Sequence, residues 1–179
     1  MPERLWFTDD DEANALLARD PMALLIGFAL DQQVPLQKAF SGPSVVLDRV
    51  GTLDPHRLAE ADLEDAFRQR PAIHRFPGAM ARRVQELAQV VVDEYGGDAS
   101  RVWRDATDAD DLRRRIAALP GFGEMKVTAL GSVLAKHFGV EQAQALAPSH
   151  PSLGDIDSAE TRAAYQEAKR AHKASLKAR

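Results

Sequence analysis

Within this 179-residue chain, the residues best placed to do chemistry by type and spacing are Leu119, Pro120, Gly121, Phe122, Gly123, Glu124, Met125 and Lys126. Two glycines one residue apart permit positive backbone dihedrals and leave the amides of a turn unshielded. Leu112, Ile116 and Leu119 line one helical face before them, and Val127, Leu130, Leu134 and Phe138 line another after them. Residues 111–138 therefore read as a helical hairpin with a very short turn. Its second helix starts with free amides and the positive end of its dipole aimed outward, which is the chemistry of a phosphate cradle. Lys126 and Lys136 lie on that second helix; Lys126 reads as a phosphate partner or as a solvated surface lysine. The chain has no cysteine, which excludes disulfides, zinc-thiolate sites and cysteine-ligated clusters. The five histidines show no metal-ligand spacing.

The elements that must hold this turn are helical almost throughout, so the expected fold class is all-α. Thr8 before Asp9, Asp10, Asp11 and Glu12 reads as a cap with acidic residues over a first turn, for a helix running to about Arg19. Asp20-Pro21 caps and starts a second helix that is apolar on nearly all sides from Met22 to Leu30. Phe40-Ser-Gly-Pro43 reads as a break, and Asp54-Pro55 and Asp62 as further starts. Gly78 to Tyr95 keeps a helical period that Gly96-Gly97 ends. Thr107 with Asp110, and Asp157 with Glu160, have capping-box spacing. No internal repeat or low-complexity tract divides the chain, and residues 1–179 read as a single unit.

Two segments carry a resemblance to a known family. Leu119-Pro-Gly-Phe-Gly-Glu-Met-Lys-Val-Thr-Ala129 resembles the helix-hairpin-helix of the base-excision DNA glycosylase superfamily. Leu30-Asp-Gln-Gln-Val-Pro-Leu-Gln-Lys-Ala39 resembles the Gln-Gln segment of its alkyladenine-type members, the branch without an iron-sulfur cluster. The resemblance covers residues 20–160, and Ile73 to Arg83 falls where the family places another helix start. It implies a helical bundle of two lobes with a damaged base flipped into the cleft between them. It also implies an N-glycosylase of DNA repair, acting on a damaged, for instance alkylated, base in duplex DNA. Asp155 is the first candidate for the carboxylate that stabilises the cationic sugar, because Pro151-Ser-Leu-Gly-Asp155 resembles the loop that carries it. Asp157 is the alternative, although with Glu160 three residues on it reads more readily as a helix cap than as a catalytic group.

The resemblance gives further roles. Gln33 either fills the gap left by the flipped nucleotide or is a buried amide satisfying helix ends. Met125 stands where bifunctional members place a nucleophilic lysine, so a monofunctional enzyme is expected; Lys126, about 100° further around the helix, is not a substitute. Phe122 at the turn tip should rest against a sugar-phosphate or a neighbouring helix. No cofactor is required, and the backbone carbonyls of Ala117, Leu119 and Phe122 would hold a monovalent cation, potassium or sodium.

Charge supports a local grip on DNA more than a coating. The net charge is −4, yet Thr161 to Arg179 holds six basic residues and one acid, so a basic helix or tail over residues 158–179 follows an acidic body. The longest apolar run, Met22 to Leu30, is too short to span a bilayer, and the first residues have no charged and then apolar leader. The expectation is a monomer that binds double-stranded DNA, with no membrane role, in the cytoplasm and nucleoid-associated in a bacterial cell. The alternative is a non-catalytic helix-hairpin-helix protein that recognises distorted or branched DNA.

Overall fold

The computed structural model describes residues 2–178, and every regular element among them is a helix. α1 (Asp11–Arg19) and α2 (Pro21–Leu30) are capped by Asp10 and Asp20, whose carboxylates accept the first free amides of each helix. The α1 cap is two residues later than expected. Thr8 is buried instead, hydrogen-bonded to Asn14 and to the carbonyl of Asp10. α2 is buried on nearly every face and forms the centre of the core.

α3 (Leu36–Val50) runs straight through Phe40-Ser-Gly-Pro43, where a break was expected. Gly42 is the reason this works: a Cβ there would sit 2.4 Å from Leu30 Cδ1, so the glycine lets α3 lie directly on the end of α2. Burial of Ala39, Phe40, Pro43 and Val46 outweighs the amide that Pro43 lacks. α4 (Pro55–Glu60), α5 (Glu64–Arg68) and the long α6 (Pro77–Tyr95) follow, and Gly96 and Gly97 end α6 with positive φ as expected.

α7 (Arg101–Arg104) leads to the hairpin helices α8 (Ala109–Ala117) and α9 (Glu124–His137). The α8 cap is Asp108, one residue beyond Thr107, and α10 (Ala159–Lys177) is capped by Ser158 with Thr161, one residue beyond Asp157. Packing falls into two groups. α1 to α6 pack among themselves, and α7, α8 and α9 pack with two 3-10 turns, Glu141–Leu146 and Leu153–Asp155. One continuous apolar core joins the groups. α10 is fixed at its first turn, where buried Arg162 donates to the carbonyls of Trp6 and Thr8 and pairs with Asp9, and its Tyr165 packs against the core. No single helix is long and apolar enough to cross a membrane.

Candidate nucleic-acid interface

The turn between α8 and α9 is built from below by burial and left open above. Leu119 and Phe122 are sunk into the core, at 2% and 5% exposure, while Gly121, Gly123, Glu124 and Met125 lie at the surface. The Leu119 amide donates to Ile116 and the Phe122 amide to Leu119, and Gly121 turns the chain at φ +79°. Gly123 then opens α9 with no side chain capping it. The amides of Gly123, Glu124, Met125 and Lys126 have no partner among the described residues. A Cβ at Gly123 would meet nothing within 4 Å, so the approach to these amides is clear. Four partnerless amides thus form a ridge at the positive end of a fourteen-residue helix, donors of the kind that suit an anion.

Side chains around the ridge differ in part from the sequence expectation. Phe122 is buried at the turn and is not free to lie on a sugar-phosphate. Lys126 curls over it, its amine 5.6 Å from the ring centroid, and donates 3.2 Å to the carbonyl of Ala29. Lys126 is half-buried and not a fully solvated lysine; one of its three N–H donors clips the hairpin to the end of α2. Burial pushes its pKa down, with Asp31 opposing that shift and Arg83 adding to it. Arg83 of α6 lies directly over Gly121, where a Cβ would come within 1.7 Å of its Nη1. Glu124 pairs with Arg113 at 2.8 Å, and Met125 is 87% exposed. Of the three carbonyls expected to hold a cation, that of Leu119 accepts the Phe122 amide, and those of Ala117 and Phe122 accept no bond among the described residues.

The loop 31–35 follows the end of α2 that Lys126 of the hairpin reaches through the Ala29 carbonyl. Gln33 is exposed with a left-handed backbone at φ +59° and makes no side-chain hydrogen bond among the described residues, so it is not a buried amide. A left-handed glutamine is held at a cost of roughly 1 kcal/mol or more. The residue that enforces this loop is His74, which is buried. Its Nδ1 accepts the Phe76 amide at 3.0 Å, which leaves Nε2–H to donate to the carbonyls of Leu30 (3.0 Å) and Gln32 (3.1 Å). Burial holds His74 below its ordinary pKa, against the pull of those two carbonyls.

Between the two clamped carbonyls stands Asp31, half-buried, its carboxylate pushed up by desolvation and drawn back partly by Lys169 and Lys126. Tyr165, one turn before Lys169 on α10, is raised by burial and by the Asp31 charge.

Asp155 is elsewhere. It closes a capping box with Ser152 and pairs with Lys136 at 2.5 Å. Burial alone would raise its pKa, but Lys136 and the Ser152 amide hold it below the carboxylate range. Lys136 is twelve residues beyond Glu124, so roughly 18 Å of helix axis separates it from the ridge. Lys136 is accordingly committed to Asp155, and the carboxylate expected to face the hairpin braces the far end of α9. Asp157 accepts from Thr161 Oγ1 at 3.1 Å, beside the α10 cap.

Sequence reasoning did not single out Asp31, His74, Arg83, Tyr165 and Lys169. Asp31 adjoins the Gln-Gln pair, which was a signal. The others are brought in by packing of distant helices and leave no local mark. Comparisons with protein-family models, with curated proteins and with solved structures found no match.

Proposed function

We propose that this protein binds duplex DNA through the hairpin between α8 and α9 and is a monofunctional DNA N-glycosylase of base-excision repair. The observation that carries the reading is the open ridge of four partnerless amides from Gly123 to Lys126, clipped by Lys126 to the helix whose following loop holds Gln33 exposed in a left-handed conformation. The ridge suits a backbone phosphate, and Gln33 suits the gap left when a damaged nucleotide leaves the stack. Arg83 adds a cation beside the turn. The free carbonyls of Ala117 and Phe122 fit a monovalent cation, which would place positive charge behind the phosphate.

A base-release assay over duplexes carrying alkylated purine, deaminated or oxidised bases tests this reading. Free base should appear, with no strand cleavage through an imine, because Met125 offers a thioether where a nucleophilic amine is needed and Lys126 is turned back toward the Ala29 carbonyl. Borohydride should therefore trap no covalent complex with DNA. The second reading is a non-catalytic protein that grips distorted or branched DNA with the same ridge. It is favoured by one observation, the commitment of Asp155 to Lys136 and Ser152. Tight binding to branched duplexes with no base released from any lesion would select it.

A further inference from the structure

Stability gives no account of Asp31. It ends α2, where the helix dipole disfavours a negative charge, and only its backbone amide takes part in closing the helix, donating to Phe28. Its carboxylate accepts no hydrogen bond and makes no ion pair among the described residues. Yet the surrounding structure fixes it in place. His74 holds the carbonyls of Leu30 and Gln32, the residues immediately before and after it. Lys126 holds the carbonyl of Ala29, so the hairpin that carries the amide ridge is pinned two residues from Asp31. Tyr165 and Lys169 of α10 lie within electrostatic range of it. Asp31 is thus a half-buried carboxylate with unused lone pairs, near two ammonium groups that do not pair with it, two residues from the carbonyl that holds the hairpin and two from Gln33.

We infer that Asp31 is the catalytic carboxylate of the N-glycosylase, in the place expected of Asp155; this rests on the glycosylase reading above. In the reaction, the bond between C1′ and the base nitrogen breaks and the base leaves with the electron pair, its nitrogen taking up a proton from solvent where it needs one. The sugar remains as an oxocarbenium ion, whose positive charge the ionised Asp31 opposes. Water then adds to C1′ through oxygen and gives its proton to the carboxylate, which passes it to solvent. Burial raises the pKa of Asp31, and Lys169 and Lys126 oppose that rise and so favour the ionised form the step uses.

The test uses the full chain in single-turnover base release, on a duplex that the wild type processes, with duplex affinity and thermal melting measured alongside. Asp31→Asn should slow release by about 100-fold or more while leaving affinity within about threefold. Asp31→Ser should do the same, and both variants should melt cooperatively. Release by Asp31→Asn within about threefold of wild type overturns the assignment and leaves the glycosylase reading standing. So does a result in which Asp155→Asn abolishes release and Asp31→Asn does not. Loss of cooperative melting in both Asp31 variants would make the residue structural and also overturn it. A wild type that binds the duplexes and releases no base defeats the glycosylase reading and the Asp31 role together.

Discussion

At the scale of single residues, His74 links the loop geometry to pH. Its Nδ1 accepts an amide, so a proton added there would face the Phe76 N–H and break the contact. The folded protein resists that protonation, whereas the unfolded chain takes it up near pH 6.5. The unfolded state therefore binds more protons, and stability is complete above about pH 6.5 and falls as the pH drops below it. Urea midpoints should decline from pH 7 to pH 5. His74→Gln keeps a donor for the two carbonyls and cannot titrate, so its midpoint should decline less. His137, also held low by burial, contributes with the same sign in both proteins. Equal declines in the two proteins would show that His74 does not couple the loop to pH. The two hairpin glycines divide structure from function in the same way. Gly121→Ala forces a side chain onto φ +79° and into Arg83, and should cost about 1–3 kcal/mol in denaturant unfolding. Gly123 has an ordinary φ of −87° and open space around it, so Gly123→Ala should cost no more than about 1 kcal/mol, the preference of a helix N-cap for glycine over alanine. It should nevertheless weaken duplex binding severalfold, because the new methyl stands in the path of a phosphate. Unchanged affinity in Gly123→Ala would remove the ridge from the interface.

Among the elements, α2, α6, α8 and α9 were legible because periodic apolar residues and glycine or proline punctuation agreed. α3 was not, since Gly42-Pro43 is local punctuation that a tertiary contact overrides: the close approach of Gly42 to Leu30 is worth more than the missing amide. Three caps fell one or two residues away from the expected one. Each stands in a run of candidates, Thr8 to Asp11, Thr107 to Asp108 and Asp157 to Ser158, where only the extended backbone of the true cap decides. The turn and its bare amides were readable, because two glycines between amphipathic helices fix both. What surrounds them was not. Lys126 reaches a carbonyl 97 residues earlier in the chain, so its inward direction depends on how α9 meets α2. Asp155 illustrates the converse: its loop resembles a catalytic one, and nothing local to either residue marks its pairing with Lys136, which the sequence groups with Lys126 on the second hairpin helix.

For the whole molecule, the proposed DNA binding requires an acidic chain to hold a polyanion with a local surface. Arg83 and Lys126 lie at the hairpin, and Lys169 acts on Asp31 from α10. α10 continues outward with Arg170, Lys173 and Lys177 exposed. This helix is tied to the body at its first turn by Arg162, whose guanidinium is nearly buried among the Trp6 and Thr8 carbonyls and the Asp9 carboxylate. Removing it leaves those acceptors without a donor in a site that water reaches poorly. Arg162→Ala should therefore destabilise the fold by about 2–4 kcal/mol, read from denaturant midpoints. It should also free α10, carrying Tyr165 and Lys169 away from Asp31. Duplex affinity falls with rising salt in proportion to the phosphates neutralised, so that slope should be shallower in Arg162→Ala than in wild type if α10 contributes cations to the same footprint as the hairpin. An unaltered salt slope, with the fold verified at the temperature of measurement, would confine the DNA footprint to the hairpin and the Gln33 loop.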